Sequence, residues 1–379
     1  AYVYSVTEGS AADKAGLHIS YGDVFANPTP RKLALLVSGT QQQEDEKDSV
    51  KEYDYTAIER VLKLNTLETY MQGEARKLGN VLVTGATGYL GVHILHHLIS
   101  SDAGQIYCLV RGENAHERLA SLLFYYFENT YNELIGKRIH IIRGDVTESL
   151  CSLFKDYSID TVFNCAAIVK HFSEGTEIED INIGGAEKCI ELSLEKGATL
   201  VHISTASTRG LSVNGIPSAE ETFTEKKLYM GQFLGNKYIW SKFMAERAIL
   251  QAVADKGLKA KIMRVGNLAA RSTDGEFQIN FSTNSFMGRI KVFNMLGCCP
   301  YGMMDNKVEF SPINEVSQAI VMLATTPDNC NVFHPYNNHH VLLGDMLARL
   351  VTLCTEIGFV ETDDFERRME EVKGDPAKA

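Results

Sequence analysis

Between Asn80 and Val265, short apolar or β-branched runs alternate with stretches of helical spacing, and no other feature limits the fold as strongly. The runs are Val81–Thr84, Ile106–Val110, Ile139–Arg143, Thr161–Cys165, Leu200–Ser204 and Lys261–Val265. Between them the spacing predicts helices near 90–100, 115–129, 184–195 and 240–254. Strands that read as continuous apolar runs are buried on both faces, and their alternation with helices makes the sheet parallel. The expected fold class is α/β, a doubly wound parallel sheet. After about Leu268 the alternation gives way to Gly-, Asn- and Met-rich sequence that ends in helical patterns. This part is read as a smaller mixed, mainly helical C-terminal lobe. The implied division is a sheet domain at 79–270 and a lobe at 271–379.

The first run opens the sharpest motif, VLVTGATGYLG at residues 81–91. Gly85, Gly88 and Gly91 follow a strand and open a helix, as a Rossmann-type dinucleotide site requires. Glycine lets the backbone turn tightly and approach a pyrophosphate, and the helix N-terminus offers N–H groups to the anion. Thr87, Tyr89 and Leu90 lie in the same loop and helix start and join the candidate cofactor residues. An NAD site would carry an acidic residue about 20 residues further on, bonded to the ribose 2′-hydroxyl. Here the second run ends instead at Arg111, with Arg118 in the next helix start. Guanidinium groups there suit a 2′-phosphate, so NADPH is the expected cofactor. Asp145 and Val146, after the third run, are expected beside the adenine, and Ala166 and Ala167, after the fourth, beside the cofactor, with tight strand-end packing the alternative for both.

Tyr238 and Lys242 form a Tyr-x-x-x-Lys pair on a predicted helix, where residues four apart share a face. A lysine ammonium there is expected to lower the phenol's pKa from about 10. The fifth run ends in His202-Ile-Ser-Thr-Ala-Ser207, which brings hydroxyls to the carboxyl edge of the sheet, where ligands of such folds bind. On spacing alone Ser204, Thr205 or Ser207 could be the catalytic hydroxyl. A hydroxyl, a phenol, a lysine and a dinucleotide on one edge describe a hydride-transfer site, with the phenol donating to a developing oxyanion.

Composition narrows the alternatives. A net charge of −11 argues against general nucleic-acid binding, which needs clustered Lys and Arg. No apolar stretch of membrane-spanning length and no charged-then-apolar leader occur, so neither a membrane partner nor an intact secretory signal is expected. The eight cysteines are scattered, mostly inside apolar runs, and read as reduced core residues of a cytoplasmic protein. His93 and His97 have a zinc-like i, i+4 spacing but lack H-E-x-x-H and a third ligand, so no metal is expected. Met295, Met303 and Met304 could form a soft acyl-binding wall or pack into a small core.

Together TGATGYLG, Arg111, GDV, NCAA, STAS and YxxxK resemble the extended short-chain dehydrogenase/reductase superfamily. The phrases GNVLVTGATGYLG, IYCLVRG, EKKLYMGQFLGNKYIWSKFMAE, RVGNLAAR and VEFSPINEVSQAI are more specific. They resemble the terminal thioester reductase domains of non-ribosomal peptide synthetases, kin of the carboxylic acid reductase terminal domain, over roughly residues 50–370. The resemblance implies that Thr205, Tyr238 and Lys242 are the catalytic triad and that Lys242 also holds the nicotinamide ribose. It implies that Gly266 and Asn267 line the cofactor and substrate cleft, and that Val213–Phe233 is a helical insertion at the substrate entrance. The implied activity is NADPH-dependent reductive release of a carrier-bound peptidyl thioester as an aldehyde, with further reduction to the alcohol open. A carboxylic acid or fatty acyl thioester reductase is the nearest alternative. An NAD-dependent sugar epimerase or dehydratase and a non-catalytic dinucleotide sensor are the other classes. Arg111 counts against the epimerase or dehydratase, and the retained tyrosine and lysine against the sensor.

Upstream, ISYGDVFANPTPRKLALLV resembles the closing helices of a peptidyl carrier domain, with Thr29 as N-cap and Pro30 at the first helical position. Residues 1–40 are thus expected to be a carrier fragment lacking the G-G-x-S whose serine bears phosphopantetheine. Residues 41–78, which include the polar run EDEKDSVKE and a helix from Tyr55 to Tyr70, are expected to be a linker and lead-in. The chain is expected to be part of a longer protein, with the lobe cut short at KGDPAKA. The expected partner is the upstream carrier bearing the phosphopantetheine-linked substrate.

Overall fold

The computed structural model describes residues 50–169, 175–210, 223–232, 234, 236–353 and 356–373. The carrier-like stretch, the helix expected after Pro30, the start of the polar linker and most of the expected insertion lie outside the described residues. The chain divides into two units: residues 1–265 with 320–334, and residues 266–319 with 335–379.

The first unit is built on a seven-stranded sheet in the order β11-β6-β5-β4-β1-β2-β3. Its strands are β1 Val81–Thr84, β2 Ile106–Val110, β3 Ile139–Arg143, β4 Thr161–Asn164, β5 Thr199–Thr205, β6 Ala260–Val265 and β11 Val332–Phe333. Every pairing is parallel. The first six coincide with the expected runs to within a residue at each end, because a parallel strand covered on both faces leaves an unbroken apolar signature. β11 was not anticipated. It is two residues long, follows Asn331, and pairs with Ile262 and Met263 of β6.

Helices cover the sheet. α1 Thr56–Leu62 and α2 Leu67–Gln72 precede it, and α3 Tyr89–Ile99, α4 Ala115–Phe127, α5 Gly185–Lys196 and α6 Lys237–Lys256 connect its strands. One helix was expected from Tyr55 to Tyr70, but the chain breaks it in two. Thr66 caps α2 by accepting the Thr69 N–H. Asn65 turns away to donate to the carbonyls of Glu225 and Val332 and to accept from the Asn331 N–H. α6 begins a turn earlier than its apolar periodicity suggests, because the Asn236 side chain accepts the Ile239 N–H and sets the start. Leu82, Val162, Leu200 and Ile262 of the sheet pack with Phe243, Ile249 and Leu250 of α6 in one core. Among the described residues no helix is long and apolar enough to cross a membrane.

The second unit carries α7 Ser285–Leu296, the start of α8 Ile313–Ala324, α9 Leu343–Val351 and α10 Thr362–Lys373. Three two-stranded ladders accompany them: β7 Leu268–Ala269 beside β10 Ser311–Pro312, β8 Cys298–Pro300 beside β13 Gly358–Val360, and β9 Lys307–Glu309 beside β12 His340–Leu342. Its own core gathers Phe293, Leu296, Cys298, Cys299, Leu343, Leu347, Ile357 and Phe365. Met303 packs against that core, and Met304 lies against Gly344, so these two methionines belong to packing. Met295 is exposed.

Candidate active site

Strand order reverses between β1 and β4, which pair with each other and with opposite halves of the sheet. Loops leave that point in opposite directions and open a crevice at the carboxyl edge. A cavity of about 200 Å³ lies there. It is lined by Thr84, Gly85, Thr87 and Gly88 of the glycine loop, by Leu109, Arg111 and Arg118, by Gly144 and Val146, and by Cys165–Ile168 and Ile181.

The glycines have separate physical reasons. Gly85 adopts φ +67°, and a Cβ there would stand 2.6 Å from the Ala166 nitrogen, so the loops after β1 and β4 touch only because it is bare. A Cβ on Gly91 would lie 2.1 Å from the Gly85 carbonyl oxygen. The first turn of α3 can therefore abut the loop that it caps. Gly91→Ala is expected to destabilise the first unit by about 1–3 kcal/mol, the usual cost of overpacking. Denaturant unfolding with an unchanged midpoint would show that the loop yields freely. Leu90 is buried, and the Tyr89 ring packs against His93 and Tyr126, so these two serve packing beside the loop.

Thr84 donates to the Asn164 side-chain oxygen at 2.8 Å and accepts the Ala166 N–H at 3.3 Å. Asn164 in turn donates to His202 Nδ1 at 3.1 Å. This buried polar chain crosses β1, β4 and β5 under the cavity, and the motif reading missed it. Arg111 forms a 3.7 Å ion pair with Asp145, which also accepts twice from Thr147 at 2.9 Å. Arg118 donates to Thr87 at 2.7 Å and to the Arg111 carbonyl at 3.4 Å. Both arginines therefore stand at the cavity, as do Val146, Ala166 and Ala167. Asp145 is spent on its turn and on Arg111. These groups fit a nicotinamide dinucleotide: a bare glycine cradle beside a helix N-terminus, with cations at the end of β2.

Thr205 is the last residue of β5, and its side chain stands close enough to the Tyr238 phenol to act on that group's pKa. It also accepts the Ser207 N–H at 3.1 Å. Ser204 is buried and donates to Glu246, while Ser207 is exposed, so of the three hydroxyls Thr205 is the one brought to the tyrosine. Tyr238 is half-buried in the first turn of α6. Burial pushes its phenol up to about 12, against a smaller downward pull from the Thr205 side chain. That reverses the expected lowering by lysine. The Lys242 ammonium donates to the Ile203 carbonyl at 2.6 Å. Burial brings its pKa down to about 8, with the Glu246 carboxylate and then Cys165 acting upward. His202 falls well below its usual value through burial and the nearby Lys242 charge, and stays neutral.

Gly266 and Asn267 directly follow Val265, the register partner of Thr205. They belong to the second unit, where Glu309 covers them. Its carboxylate accepts the Asn267 N–H at 2.6 Å and would collide with a Cβ on Gly266. His93 has its Nδ1 at 2.8 Å from the Tyr89 carbonyl and lies edge-on to Tyr126 and Phe127. Among the described residues no group of three His, Cys, Asp or Glu is placed to hold a metal. The seven described cysteines are free thiols, and five of them are buried.

Residues 83–320 match the model of an NAD-binding family described as male sterility protein. The chain is 40% identical to a thiolation-reductase di-domain from an archaeal non-ribosomal peptide synthetase, with a TM-score of 0.82 over 95% of this chain and 76% of that one. Against the reductase domain of the aureusimine biosynthetic cluster it is 27% identical, with a TM-score of 0.71 over 86% and 85% of the two chains. It is also 25% identical to a linear gramicidin synthase polypeptide from Brevibacillus parabrevis, over 92% of this chain and 7% of that protein. The chain thus spans a small part of that curated relative. With its parallel sheet and dinucleotide cradle, it belongs to this NAD-binding family of oxidoreductases, among the terminal thioester reductase domains of non-ribosomal peptide synthetases.

Proposed function

We propose that the domain carries out NADPH-dependent reductive release of a peptidyl thioester, presented on the phosphopantetheine arm of an upstream carrier domain, as an aldehyde. The observation that carries this reading is the meeting of the Thr205 and Tyr238 side chains at the sheet edge, with Lys242 one helical turn from the tyrosine. When bound, the dinucleotide supplies the hydride. Tyr238 and Thr205 donate to the oxygen of the thioester carbonyl as negative charge develops on it. With its pKa at about 12 the phenol keeps its proton at neutral pH, which suits a donor. Lys242, charged below about 8, holds the nicotinamide ribose. The tetrahedral hemithioacetal, its oxygen protonated from Tyr238, then collapses: the hydroxyl gives up its proton and regains the carbonyl, the C–S bond breaks, and the pantetheine sulfur takes that proton and leaves as thiol.

Incubation with NADPH and a pantetheine-linked acyl thioester tests the reading. Absorbance of the reduced nicotinamide and free thiol are followed together. One NADPH consumed per thiol released is expected for the aldehyde, and two would mean the alcohol. No release of thiol would end the proposal.

A tethered substrate reaches an effective concentration in about the millimolar range. The site therefore needs little affinity for the acyl group itself. Broad acyl tolerance is expected, with slower turnover of a free short thioester, held below that range, than of the carrier-bound one. Equal efficiency on both, combined with sharp acyl discrimination, would contradict delivery by a carrier.

A further inference from the structure

We propose that Glu246 is a positioning residue for this reaction: its buried carboxylate keeps Lys242 in the charged form and, through Ser204, fixes the strand end that carries Thr205. The inference rests on the reading of Tyr238 and Lys242 as the reacting pair.

α6 carries Tyr238, Lys242 and Glu246 at successive four-residue steps, so all three lie along one face. Exposure falls along that line, from the half-buried tyrosine to a lysine at 2% and a glutamate at 0%. A carboxylate removed from water is costly unless paired and fully hydrogen-bonded. Glu246 is both. The equally buried Arg264 of β6 donates to it through Nη2 at 2.8 Å and Nε at 3.0 Å, and the Ser204 hydroxyl donates to its other oxygen. Other guanidinium contacts go to the carbonyls of Thr224 and Lys227, to His334 and to the face of the Phe223 ring. The pair thus ties α6 to β5, to β6 and to the stretch that leads into Tyr238.

Stability alone gives a weak reason to keep such a pair, since apolar side chains of similar volume often do as well. Its neighbour Lys242 supplies a better one. Among the described residues that ammonium donates one hydrogen bond, to the Ile203 carbonyl, and burial works against its charge. Three titratable groups act on it. From the end of β4, Cys165 has its thiol pushed up to about 12 by burial and carries no charge at neutral pH. From β5, His202 is held neutral. From its own helix, Glu246 is the remaining group, and it is an anion bonded to Arg264. Among the described groups that act on Lys242, the carboxylate of Glu246 is what opposes the loss of its proton.

Glu246→Gln keeps the shape and an acceptor for Ser204 but removes the charge. Native thioester reduction is expected to fall on an alkaline limb near pH 8, where Lys242 loses its proton. In the variant that limb should move down by about 1–3 pH units, the usual effect of losing an adjacent opposite charge. Turnover at pH 7 then drops about twofold for a one-unit move and roughly tenfold for two units, and recovers as the pH is lowered towards the new limb. Damage to packing would not recover with acid. Should Glu246→Gln unfold because Arg264 is left unpaired, the double variant Glu246→Gln/Arg264→Met removes the cation together with the anion, and its limb should move down by less than in the single variant while turnover still recovers with acid. The pH dependence of NADPH affinity, read by nicotinamide fluorescence without substrate, should move in parallel. A native protein that binds NADPH but frees no thiol would defeat the functional reading, while this affinity profile would still test the role of Glu246. A limb and an affinity profile that stay where they are in the native protein overturn the inference.

Discussion

Tyr238→Phe is expected to slow thioester reduction by about 100- to 1,000-fold while NADPH affinity stays close to native, the range found when one donor to a developing oxyanion is removed. The substitution keeps the ring and its packing and deletes only the hydroxyl. That hydroxyl is protonated at neutral pH, since burial holds it near 12, and the Thr205 side chain stands beside it. The mechanism thus asks the phenol to donate a hydrogen bond to the substrate oxygen, with Thr205 beside it as the second donor. Cofactor affinity is the control, because the cavity is lined by the glycine loop and the strand ends and does not include Tyr238. Turnover from thiol release, paired with fluorescence titration of NADPH, measures both. Native-like turnover in Tyr238→Phe would sink the mechanism.

How far the sequence reveals such a site depends on the range of the interactions that make it. The buried strands announce themselves locally, since each is a run of side chains with both faces in the core. β11 escapes because two residues carry no period, and its place is set by pairing with β6 across some seventy residues of chain. The glycine loop is legible for the same local reason as the strands: Gly85 needs its φ and Gly91 its closeness within one short motif. The polar groups beneath are different. Thr84, Asn164 and His202 meet from three strands, and Arg264 meets Glu246 from another strand and a helix. Read along β6, Arg264 and Lys261 look like polar interruptions of an apolar run, yet both are fully buried and bonded. The four-residue step that pairs Tyr238 with Lys242 also reaches Glu246, and that is the one sequence signal that would have found it. The direction of the tyrosine's pKa was not legible. Helical spacing brings lysine near, but burial, a property of the packed whole, is the larger effect.

Arg111→Ala is expected to weaken NADPH by roughly 10- to 150-fold and to leave NADH nearly unchanged, as follows from losing one charge-assisted bond of about 1.5–3 kcal/mol to the 2′-phosphate. Of the two arginines at the cavity, Arg118 is already committed to Thr87 and to the Arg111 carbonyl. Arg111 has only a long ion pair with Asp145, and its side chain is 58% exposed. It can turn to a phosphate without giving up a short bond. That exposure also screens the interaction, so the loss should fall towards the lower end of the range and shrink as salt is raised. Removing the guanidinium has a second effect: the Asp145 carboxylate loses its partner and faces the incoming phosphate uncompensated. A 2′-hydroxyl carries no charge for that carboxylate to repel, so both effects fall on NADPH. Fluorescence titrations of the two cofactors at low and high salt decide the matter. A loss shared equally by NADH and NADPH would make Arg111 a structural residue of the β2 end and leave the choice of dinucleotide to other groups.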